Sequence, residues 1–123
     1  MKATRLNGPL IALLTAVLVT GVGAQDAPIE FRLIADKANP AGCISLDASL
    51  SRVHTVTVTG DKALLKSAGG INDTLKQASP GVYKTTFSLA GVRLDVVADA
   101  SKTPRSLTVV EAQRSCKWNA AAP

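Results

Sequence analysis

From residue 29 onward, apolar and polar residues alternate along the chain, and no stretch sustains a helical period. IEFRLIA (29–35) puts Ile29, Phe31 and Leu33 on one side and Glu30 and Arg32 on the other, the pattern of a half-buried strand. DKANPAG breaks that run, and CISL is predicted to open a second strand at Cys43. LDASLSR fits either of two structures, because Leu46, Leu50 and Val53 can line one short helical turn or lie in a loop.

VHTVTVT (53–59) is β-branched at nearly every position, and with KALLKS it predicts a hairpin turning near Gly60 and Asp61. AGG (68–70) marks another turn, INDTLKQ (71–77) alternates weakly, and ASPGV supplies a Pro-Gly turn. YKTTFSLA (83–90) aligns Tyr83, Thr85, Phe87 and Leu89 on one face, and VRLDVVA (92–98) aligns Val92, Leu94, Val96 and Ala98. These two runs are predicted to pair as a second hairpin through Gly91. DASKTPR is a polar loop, and SLTVVEAQRSCKW (106–118) is predicted as one final strand with Val110, Ala112, Cys116 and Trp118 sharing parity.

About seven to eight short strands separated by turn residues predict an all-β fold, a small antiparallel β-barrel or β-sandwich. Barrel closure removes exposed edges. An immunoglobulin-like sandwich fits less well, since its cysteines bracket a tryptophan and Trp118 follows Cys116.

The start of the chain adds a destination. Lys2 and Arg5 precede the apolar run LIALLTAVLV, and the small residues TGVGA follow it, the layout of a cleavable secretory signal peptide over 1–24. That run is about half the length needed to span a bilayer, so no stable membrane anchor is expected. Residues 25–123 are then predicted to form a single domain, periplasmic or secreted. Without Lys2 and Arg5 it carries twelve basic and nine acidic side chains, a mild excess that bears more on solubility than on partners. Its aromatics are Phe31, Tyr83, Phe87 and Trp118 alone and its charges are scattered, which excludes nucleic-acid binding by basic grooves with stacking platforms.

Candidate chemistry is sparse. Two cysteines in a small secreted chain predict one disulfide, Cys43 to Cys116, worth roughly 4 kcal/mol for a loop of this length. Shared parity places Trp118 beside it, as part of a core staple between the second strand and the last. A zinc site needs about four N or S ligands, and the chain offers two cysteines and His54, so no metal is expected. His54 sits in a β-branched strand with no nucleophile motif around it. Asp95 with Asp99, and Asp61 with Asp73, are conceivable acid–base pairs, which would make a small enzyme. Solvated charges on turns and strand faces are the plainer reading. No catalytic residue and no cofactor is predicted.

One segment points to a partner. In ASPGVYK (78–84), Ser79, Gly81 and Tyr83 resemble the serine, glycine and tyrosine loop of small periplasmic lysozyme inhibitors, which are also signal-bearing β-barrels with a disulfide near their ends. The resemblance implies that these three residues form a partner-contact loop entering the active-site cleft of a secreted hydrolase. Pro80 interrupts the motif, and LAGVRLD stands where that family has a tryptophan and a lysine-glycine segment. Turn propensity alone makes SPGVY a turn entering a strand. The expected function is therefore a non-catalytic binding or structural module with a periplasmic or extracellular protein as partner, and a hydrolase inhibitor is the alternative.

Overall fold

The computed structural model describes residues 27–123; the predicted signal peptide lies outside the described residues. Nine strands form one antiparallel sheet curled into a nearly closed barrel: β1 (Ile29–Arg32), β2 (Ile34–Ala35), β3 (Val53–Thr59), β4 (Lys62–Ser67), β5 (Asn72–Ser79), β6 (Val82–Leu89), β7 (Val92–Asp99), β8 (Arg105–Glu111) and β9 (Cys116–Ala122). The order round the sheet is β1-β3-β4-β5-β6-β7-β8-β9-β2. β1 and β2 are two pieces of the single run read in the sequence, parted at Leu33, whose N–H leaves the ladder for the Arg52 carbonyl at 3.1 Å. The first piece pairs with β3 and the second with β9, so one broken strand draws the two sides of the barrel together.

Inward parity follows the alternation. Phe31, Leu65, Leu75, Leu94, Leu107 and Trp118 are buried in one core. Both expected hairpins form, β3–β4 through Gly60–Asp61 and β6–β7 through Ala90–Gly91. The sandwich alternative is set aside by the continuous strand order.

Two expectations are corrected. The segment at Cys43 is not a strand: Ala41–Cys43 is a 3-10 turn and Ile44–Leu50 a short helix, α1. Cys43, Leu46 and Leu50 recur at helical spacing and are all buried, which lays the segment over one end of the barrel. Two turns of helix are not stable alone, so tertiary contacts hold α1. The Cys43 and Cys116 sulfurs lie 1.98 Å apart as a disulfide, and Trp118 Nε1–H donates to Asp47 Oδ1 at 2.9 Å. The staple therefore joins the start of α1 to β9, not a second strand to the last.

The expected final strand is two strands, β8 and β9, joined by a turn at residues 112–115. Leu107, Val109 and Glu111 face inward on β8, while Val110 and Ala112 do not. The buried Glu111 carboxylate folds the turn by accepting the N–H groups of Gln113 (3.1 Å) and Arg114 (2.9 Å), and Ser115 takes φ 61°. Parity resumes after the turn, so Cys116 and Trp118 still point inward.

Candidate functional site: an open seam between β5 and β6

The β5–β6 hairpin turns through Pro80 and Gly81. Proline holds φ near −65° and Gly81 has φ 79°, the pattern of a type II turn. Two-residue hairpins favour types I′ and II′, whose twist matches that of the strands, and type II splays them. The pairing records the mismatch. Lys76 and Lys84 are partners, as are Gln77 and Tyr83, but Ser79 then pairs with Val82, leaving Ala78 as a bulge. Away from the turn the ladder stops at Lys76–Lys84, and no pair joins Asn72–Leu75 to Thr85–Leu89 among the described residues.

Alternation identifies the backbone groups left on the seam. The Ser67 N–H donates to the Ile71 carbonyl, which assigns residues 71, 73 and 75 to β4, so those of Asn72 and Thr74 aim at β6. The Ala90–Gly91 hairpin likewise assigns residues 85, 87 and 89 to β7, so those of Thr86 and Ser88 aim at β5. One of these backbone groups finds a side-chain acceptor, and the Thr86 side chain turns to β7 instead. Asp73 Oδ1 accepts the Thr74 N–H at 2.9 Å, and the Thr86 hydroxyl donates to Asp95 at 2.8 Å.

Asp73 gives the seam a second cause. Its partner on β4 is Leu65, which is buried, so Asp73 has inward parity, among apolar neighbours that include Ile71, Leu75 and Phe87. Closing β5 onto β6 would enclose that carboxylate next to Phe87, and burying a charge without a partner is expensive. The seam leaves Asp73 half-buried, at a groove of about 350 Å³ lined by Ile71, Asn72, Asp73, Phe87, Ser88 and Leu89. Its apolar wall is Ile71, Phe87 and Leu89, and its rim is backbone without strand partners, of which the Thr74 N–H is met by Asp73.

The three residues of the lysozyme-inhibitor resemblance do not converge on one surface. Tyr83 has inward parity and is 4% exposed, and its hydroxyl donates to the Gly60 carbonyl of the β3–β4 turn at 3.2 Å. Gly81 lies against Ser101, with its carbonyl accepting the Ala100 N–H at 2.7 Å, and of the three only Ser79 is exposed. The segment is a tight turn entering a strand.

His54 is also interior. It lies on β3 between Phe31 and Ser67 in register, and its Nε2–H donates to the Leu50 carbonyl at 2.9 Å. Burial pushes its pKa below the ordinary imidazole value, the Leu50 hydrogen bond opposes this, and Arg52 adds to the lowering. Asp95 and Asp99 share the outer face of β7 about 13 Å apart along the strand, each with partners of its own. Asp99 is held below the usual carboxylate range first by the Ser101 hydroxyl and then by the Ser101 N–H. Asp61 lies in the β3–β4 turn, while Asp73 lies at the far end of β5. Neither of the conceivable aspartate pairs meets, and the plainer reading of them is solvated charges. Among the described residues no group of three or more His, Cys, Asp or Glu is placed to hold a metal ion.

The seam was not anticipated from the sequence, where Pro80–Gly81 is its one local signal. Comparisons with protein-family models, with curated proteins and with solved structures return no match.

Proposed function

We propose that this is a periplasmic or secreted, non-catalytic binding domain that takes an extended segment of another protein into the β5–β6 seam by strand addition. The observation that carries the reading is the interrupted ladder: main-chain groups of Asn72, Thr74, Thr86 and Ser88 face a gap without strand partners. Strand addition draws affinity from such main-chain groups and specificity from pockets for alternate side chains. Ile71, Phe87 and Leu89 supply an apolar wall against which every second side chain of an incoming strand can rest. The Lys2 and Arg5 leader and the Cys43–Cys116 disulfide support an oxidising destination. A hydrolase inhibitor acting through the 79–83 turn is not favoured, because Tyr83 points into the core.

The test is to select decapeptides displayed on phage against the purified protein and titrate the best binder into isotopically labelled protein. Amide shifts should concentrate at 72–74 and 86–88, and methylating alternate backbone nitrogens of the peptide should abolish binding. Shifts confined to another face, or no loss on methylation, would refute strand addition here.

A further inference from the structure

The charges around the seam name the partner's chemistry. On the outer face, Lys62, Lys76 and Lys84 stand directly opposite one another across β4, β5 and β6. Like charges opposed in neighbouring strands are unfavourable, and no packing in the fold requires them there. Lys84 and Lys76 close the seam at its turn end. Toward the open end, Lys66 pairs with Asn72 on one side and Arg93 pairs with Ser88 on the other, so each flanks the gap one strand away. All five cations are exposed.

Opposing charge is scarce. The outward positions of β4, β5 and β6 hold no carboxylate, since Asp73 has inward parity. On β7, Asp95 is already engaged by the Thr86 hydroxyl at 2.8 Å and the Arg93 guanidinium at 3.8 Å. None of the four lysines has a carboxylate within 4.0 Å among the described residues. Strands lie about 4.8 Å apart, so a strand seated between Asn72 and Ser88 would bring its outward side chains within reach of Lys66 and Arg93.

We infer that the segment received by the seam is acidic, an extended peptide with Glu or Asp at the alternate positions that face outward. This rests on the strand-addition reading above. A peptide uses both features at once, the cations for its carboxylates and the recessed backbone groups for its main chain. An anionic lipid surface would engage only the cations.

The test uses the purified full chain and three fluorescein-labelled octapeptides of alternating threonine with glutamate, glutamine or lysine, measured by fluorescence anisotropy at low and at 0.5 M salt. The glutamate peptide should bind at least tenfold tighter than the glutamine peptide at low salt, with most of that margin lost at high salt. The lysine peptide should not bind. K66E with R93E should remove the preference for glutamate while circular dichroism shows the fold retained, and K76E is a second, independent reversal. Equal binding of the glutamate and glutamine peptides, unmoved by these reversals, would overturn the acidic assignment while the seam reading stands. Failure of all three peptides would overturn the seam reading and this inference with it. Binding to phosphatidylglycerol vesicles, lost on charge reversal and without any peptide binding, would replace the peptide by a membrane surface.

Discussion

Trp118 and Asp47, separated by 71 positions in sequence, meet where the indole Nε1–H donates to Oδ1 of the aspartate at 2.9 Å. Trp118 is wholly buried, and a buried indole N–H without an acceptor is costly. The same bond docks α1 against β9, beside the disulfide. D47A should cost about 2 kcal/mol, as expected for a hydrogen bond to a charged group. D47N keeps an acceptor and should cost less. Chemical denaturation followed by emission of the single tryptophan measures both.

Removing the disulfide as C43A/C116A should cost about 2 to 5 kcal/mol. The loss should be uneven. Hydrogen exchange should accelerate first over Ile44–Leu50, a helix too short to persist once its tether is gone, and later in β6 and β7.

His54 should make stability fall with mild acid. Its folded pKa is lowered by burial, so the unfolded chain binds the extra proton more readily, and stability rises with pH through the interval where the two states differ. The His54 contribution is full above about pH 6.5 and is lost as pH falls through the folded value. Denaturation midpoints at pH 7.5 and 5.5 should differ for the wild type and converge for H54Q. The chain contains no other histidine, which ties the effect to this residue.

Asp73 should act as the wedge of the seam. D73V removes the inward-facing carboxylate and lets β5 close on β6, so the amides of Thr74, Thr86 and Ser88 should gain protection from exchange. Stability should rise by about 1 kcal/mol, the order of a buried valine's transfer free energy less the backbone ordering it demands. Peptide binding should weaken in the same variant.

Gly81 should tolerate no side chain. At φ 79° a Cβ is strained, and it would stand 2.8 Å from the Ser101 Cβ and 2.9 Å from its Cα. G81A should cost about 2 kcal/mol or more by thermal denaturation. Ala90, at φ 54° in a turn completed by Gly91 at 79°, offers the converse. A90N places a residue that accepts this conformation, and it should raise stability by about 0.5 to 1 kcal/mol.

Much of the barrel was legible because alternation reports inward parity directly: Phe31, Leu94 and Trp118 are buried as their periodicity required. The helix was obscured because Cys43 and Ile44 suit a strand, and its i, i+3, i+7 spacing is too brief to outweigh them. The β8–β9 turn was hidden because EAQRS has neither glycine nor proline, and a side chain, Glu111, makes the turn instead. For Tyr83 the alternation and the motif resemblance point in different directions, and its burial follows the alternation. A motif match considers three residues in sequence, whereas parity sends the tyrosine to the opposite side from its neighbour Lys84. The seam lies furthest from the sequence, since it depends on where two strands stop matching, and only the Pro-Gly turn twist foreshadowed it.

Along the wall opposite the seam, the covalent link, the Trp118–Asp47 bond and the two-way bonds between Asn39 and Lys117 gather where β9 meets β2 and α1. The body therefore behaves mechanically as a split ring with a welded spine. A strand seated in the seam, as proposed above, would strain the edges of β5 and β6 and leave the joint behind them untouched, so capture would not draw on the interactions that keep the chain folded.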